Sequence, residues 1–169
     1  PFYRLFFVDL WEFLCYDKED SKEVFIMFFT EYHKMLDVLH FGTKEPRAYY
    51  IPFCGKENAL TKKREDSCRF TLLSGEWKFK FFNNVADVTA EYVAKDFDTA
   101  GCDDITVPRC WQTYPDRGYD EIQYANLEYP FSVDPPYTPD ENPCGIYFKD
   151  IVLDEIADKV YINFEGVSS

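Results

Sequence analysis

The chain has 169 residues, 20% of them aromatic, and a formal net charge of −13. That length fits one domain with a real core. The acidic balance argues against nucleic acid as a partner, because phosphate recognition needs clustered Lys and Arg, and the cluster Lys62-Lys63-Arg64 runs straight into Glu65-Asp66.

In chain order, residues 1–26 stand apart. Their apolar stretch from Phe2 to Leu14 is interrupted by Asp9 and Glu12. It is too short and too charged to span a bilayer, and it lacks the basic start and small-residue cleavage site of a signal peptide. Lys22-Glu23-Val24 can be encoded by a bacterial ribosome-binding sequence, and Met27 follows at start-codon distance. Residues 1–26 read as a translated upstream leader, with the protein beginning at Met27, or else as an ordinary N-terminal extension. Residues 27–69 read as an extended arm, since Gly42, Pro46 and Pro52 exclude a long helix there. Within it, Glu57 to Cys68 is polar and reads as a loop or short helical turn.

Residues 70–169 read as mostly β. Between Phe70 and Phe82, Trp77, Phe79 and Phe81 alternate with Glu76, Lys78 and Lys80, the period of a strand with one apolar and one solvated face. Val85, Val88, Tyr92 and Val93 fall at helical spacing and predict a short amphipathic helix within 83–99. Asp103 to Val107 reads as a strand stopped by Pro108, and Gly145 to Leu153 and Val160 to Phe164 as two more. Asn142-Pro143-Cys144-Gly145 carries a turn signal. Short strands between turn signals suggest a sandwich.

The segment Val107 to Tyr147 holds most of the chain's ten prolines between aromatic residues. Such a run forms an ordered irregular surface, and binding residues concentrate on surfaces of that kind. Trp111 reads as a loop anchor and Trp77 as core. The six cysteines, at 15, 54, 68, 102, 110 and 144, form no CxxC pair and read as six free thiols in a reducing cytoplasm. Two histidines, His33 and His40, are too few to suggest a His-based metal centre or a Ser-His-Asp site.

Four motifs then carry a family resemblance: His40 to Tyr50 (HFGTKEPRAYY), Leu72 to Phe79 (LLSGEWKF), the series VPxxWQ, YxNxxYPF and PPxxPxxNPxGxY within 107–147, and Ile162 to Val167 (INFEGV). In this order they resemble the N-terminal region of bacterial β-galactosidases of glycoside hydrolase family 2. The resemblance implies a jelly-roll β-sandwich, galactose-binding-domain-like and truncated on its C-terminal side. It makes the chain the sugar-binding portion of an enzyme acting on terminal β-D-galactosides such as lactose. It places Asn126 in the substrate pocket, with Leu127 lining the pocket edge. An amide offers donors and an acceptor suited to sugar hydroxyls.

The catalytic glutamates and the magnesium and sodium sites are implied for a later barrel, so no catalytic or metal-ligating residue is expected in this chain. Glu121, Glu128, Asp134 and Glu141 read as solvated or turn-forming acids. The implied partners are the galactoside, the remainder of the polypeptide and further copies of the subunit, with no nucleic acid and no membrane, in the cytoplasm. Two other readings are a related glycosidase for β-glucuronides or β-mannosides and a stand-alone carbohydrate-binding module.

Overall fold

The structure, a computed structural model, describes residues 2–8, 12–15, 35–38, 44–45, 47–94, 96–122, 126, 133–135, 137, 139, 142–153 and 160–166. Its frame is a five-stranded antiparallel sheet with strand order β2-β1-β5-β3-β4. The strands are β1 (Phe2–Val8), β2 (Glu12–Cys15), β3 (Gly75–Phe82), β4 (Asp103–Val107) and β5 (Cys144–Val152). One short helix, α1 (Lys56–Leu60), and several 3₁₀ turns complete the described elements. No helix among the described residues is long and apolar enough to cross a membrane.

The period-two pattern of β3 sorts its side chains as expected, but both faces of the sheet are covered. Trp77 opposes Ile105 across the β3–β4 ladder, and Phe79 opposes Tyr147 across the β3–β5 ladder. These residues build one core layer with Phe81, Val107 and Ile151, which Leu73, Trp111, Tyr114, Tyr119 and Ile162 close. On the other face Phe82 opposes Cys144, Lys80 opposes Ile146 and Lys78 opposes Phe148. Phe82, Cys144, Ile146 and Phe148 are all buried there beneath Val85, Val88, Tyr92 and Phe97. The solvated second face is thus corrected. The Lys80 ammonium lies 5.3 Å from the Tyr92 ring centre, and Lys78 pairs with Asp104 at 2.8 Å.

The covering follows from the connections. Residues 85–102 of the β3–β4 link cover one face, and residues 111–119 of the β4–β5 link cover the other.

The helix predicted within 83–99 is replaced by two 3₁₀ turns, Val85–Asp87 and Ala90–Val93. The Asn84 side chain accepts the Ala86 N–H at 2.8 Å, and Val88 is extended at φ −77°, ψ 120°. A local side-chain bond competes with helix continuation, yet the apolar residues still reach the sheet. The predicted strand at 160–164 joins no ladder, and Ile162 instead packs on the core layer that holds Trp77, Phe79, Ile105 and Trp111. The turn signal at 142–145 is also corrected: Cys144 and Gly145 open β5. The expectation of six free thiols fails, because Cys54 and Cys68 are bonded, with Cα atoms 5.9 Å apart. Cys102 and Cys110 are free thiols.

Residues 2–8 of the segment read as a leader pair with β5 from Phe2↔Val152 to Val8↔Ile146, and β2 follows on the outer side.

Candidate functional site

The candidate site is the irregular surface that begins where β4 stops. The Val107–Pro108 peptide is cis, and the chain turns at once across the sheet. Trp111 opens a 3₁₀ turn (Trp111–Thr113) and is only 5% exposed. Its ring centre lies 5.2 Å from Phe81 and 6.3 Å from Phe79. The strand core thereby seats the loop, as the anchor reading of Trp111 predicts.

Three polar ties fix the loop's outline. Arg109 donates through Nε to Thr113 Oγ1 at 2.8 Å and through Nη2 to the Thr113 carbonyl at 2.7 Å. Its guanidinium also stacks 3.8 Å from the Tyr114 ring centre. Tyr114 in turn uses its hydroxyl to accept the backbone N–H of Thr106 at 2.9 Å, binding the loop back to β4.

The third tie converges on Asp103. Tyr119 donates its hydroxyl to Asp103 Oδ2 at 2.6 Å, and Arg117 donates to Oδ1 at 3.1 Å. The Tyr119 ring packs 5.1 Å from Phe79, centre to centre. Burial, reinforced by the Asp103 carboxylate, pushes its phenol far above the ordinary tyrosine value, so Tyr119 keeps its proton and remains a donor. Between Arg117 and Tyr119 the chain reverses at Gly118, whose φ of +69° lies in the left-handed region that glycine adopts without steric cost.

Asn126 lies seven residues beyond Tyr119, in a bend, and is exposed. Leu127 lies outside the described residues, as do Glu128 and Glu141. Glu121 and Asp134 are both exposed, and Asp134 sits in a tight turn where its carbonyl accepts the Tyr137 N–H at 2.9 Å. Among the described residues no three His, Cys, Asp or Glu side chains gather to hold a metal ion.

Sequence reasoning missed Asp103, which reads simply as the first residue of a strand. The alternation of β4 does put it on the same face as Ile105, toward the loop, and that was the available signal. It also missed a second polar junction, where Glu165 Oε1 accepts from Tyr49 at 3.0 Å and Arg64 at 2.7 Å. These bonds, the Tyr49 one foremost, hold the Glu165 carboxyl below the usual carboxylate range.

The sequence aligns with known proteins over these same elements. The model of the glycosyl hydrolases family 2 sugar binding domain matches residues 70–169, which takes in β3, β4, β5 and the tied loop. The β-galactosidase of Actinobacillus pleuropneumoniae is 38% identical over 143 residues, 85% of this chain and 14% of that protein. That of Staphylococcus xylosus is 36% identical over 142 residues, 82% of this chain and 14% of that protein. A third, from Photobacterium profundum, is 42% identical over 99 residues, 57% of this chain and 9% of that protein. The chain thus spans about a seventh of the length of the first two relatives, and an alignment covering 85% of it extends upstream of residue 70 into the arm. By the match over its sheet and loop, the chain belongs to glycoside hydrolase family 2 through the sugar-binding domain.

Proposed function

We propose that this chain is the N-terminal sugar-binding portion of an enzyme that hydrolyses terminal β-D-galactosides such as lactose. The observation that carries the reading is the family match over 70–169 together with relatives named as β-galactosidases. The chemistry lies elsewhere in the complete polypeptide. Retaining glycosidases need two carboxyl groups about 5–5.5 Å apart in a pocket closed around the sugar, and Glu121 and Asp134 here are both exposed. Magnesium and sodium, implied for the complete enzyme, take their ligands from that remainder as well. The whole protein works in the cytoplasm as a homo-oligomer, and the sheet described above belongs to a jelly-roll sandwich.

In this reading Asn126 reaches from the sugar-binding domain into the galactoside pocket, and Leu127 lines its edge. Aromatic packing and the Asp103 ties hold the loop as far as Tyr119, seven residues before Asn126, which lowers the ordering left to do on binding. A site that hydrogen-bonds a substrate hydroxyl loses that bond on truncation to alanine. Asn126→Ala in the complete polypeptide is therefore expected to lower kcat/KM for a β-galactoside by about tenfold to a hundredfold. Steady-state kinetics on a nitrophenyl β-galactoside checks it, and an unchanged kcat/KM removes Asn126 from the pocket.

A further inference from the structure

We propose that the Cys54–Cys68 pair is a reversible thiol switch that sets whether the loop between them is held against the 160–166 segment. The proposal does not depend on the galactosidase reading.

The loop has little else to hold it. It contains α1, which buries no residue, and a 3₁₀ turn at Arg64–Asp66, which buries none either. Lys62 stands between them at a positive φ of 57°. The packing that does exist is at the loop's C-terminal base, where buried Ser67 donates to the Pro52 carbonyl at 2.6 Å and accepts the Arg69 N–H at 3.0 Å. A segment with no buried apolar side chain opens readily unless it is tied covalently, and the Cys54–Cys68 bond, spanning 14 residues, is that tie.

The tied loop reaches across the molecule. Arg64 donates to Glu165 at 2.7 Å, and Tyr49 donates to the same oxygen. Arg47 lies 4.9 Å over the Tyr161 ring. Three separate stretches, 47–49, the loop, and 161–165, therefore meet at one exposed junction. An exposed ion pair contributes little by itself, so it does not hold the loop there once the covalent tie opens.

Chemistry favours this pair over Cys144 and Cys102. Cys54 and Cys68 are both exposed, whereas Cys144 is fully buried and Cys102 is half-buried with its thiol pushed up by burial. A thiolate of a small dithiol attacks one exposed sulfur, forming a mixed disulfide and releasing the other cysteine as a thiolate. The dithiol's second sulfur then displaces the first cysteine. Two electrons and two protons pass to Cys54 and Cys68, and the dithiol leaves as its own disulfide. A small-molecule disulfide reverses the exchange. Exposed bonds of this kind are the reducible and regulatory ones.

The test uses the whole chain with dithiothreitol. Thiol titration of the folded protein is expected to gain two reactive groups on reduction. Trypsin cleavage after Lys62, Lys63 and Arg64 is expected to quicken by about tenfold in the same step. The Cys54→Ser/Cys68→Ser variant is expected to be cleaved at the reduced rate with or without dithiol. No gain in reactive thiols, a cleavage rate unchanged by reduction, or a variant that still responds to dithiol overturns the proposal.

Discussion

Replacing Phe79 by alanine is expected to lower the unfolding free energy by about 3–5 kcal/mol. Phe79 has no exposed surface. Its ring centre lies 4.8 Å from Tyr147 on β5, 5.1 Å from Tyr119 and 6.3 Å from Trp111 on the loop. With Phe81, which lies 5.2 Å from Trp111 and 5.5 Å from Tyr119, it is one of the two strand side chains through which the core and the candidate site share one packing layer. Alanine leaves a void at that joint and removes part of the seat of the loop leading to Asn126. Urea unfolding measures the loss, and a change under about 1 kcal/mol contradicts the central place given to Phe79.

A single added methyl group has the next largest effect. Gly145→Ala is expected to cost about 1–3 kcal/mol through overpacking. A Cβ at Gly145 would overlap the Cε2 and Cζ atoms of Phe79. Gly145 sits opposite Phe81 on β3, between Cys144 and Ile146, neither of which has exposed surface. The Phe79 ring is itself walled in by Tyr119 and Tyr147, so it has no room to turn aside. The obstacle is one named ring, which makes the cost separable. In a Phe79→Leu background the Gly145→Ala cost is expected to shrink, and a double-mutant cycle reads that coupling directly. Equal costs in the two backgrounds mean that the ring is not the obstacle.

The strands that matter most to the site were legible because each carries a local signal. Trp77, Phe79 and Phe81 alternate with charged residues, and Pro108 stops β4 where the loop begins. The 83–99 stretch was misread for a physical reason: apolar residues three and four apart reach the same surface from successive 3₁₀ turns as from a helix. Spacing alone could not see Asn84 capping the first turn. Val160 to Phe164 has the composition of a strand but joins no ladder, since ladder formation depends on a partner that composition does not name. Gly145 was legible as the start of a strand, but its packing role comes from Phe79, sixty-six residues away in sequence and brought close only through the β3–β5 register. The Cys54–Cys68 pair was hidden likewise, as spacing carries no information on which thiols meet. At the site itself Trp111 was legible as an anchor, whereas Asp103 acquires its role only when Arg117 and Tyr119 fold back onto it. Asn126 was legible through the family motif alone, and residue type by itself would have left it a turn residue.

The galactosidase reading is tested most directly by substrate choice. The complete polypeptide and residues 1–169 alone are assayed side by side on nitrophenyl β-galactoside, β-glucuronide and β-mannoside at equal concentration. The account predicts turnover of the galactoside by the complete polypeptide, at least about a hundredfold above the other two sugars, a margin that buried hydrogen bonds to substrate hydroxyls can supply. It predicts no turnover of any of them by residues 1–169. Preference for the glucuronide or mannoside, or hydrolysis by residues 1–169 alone, contradicts it.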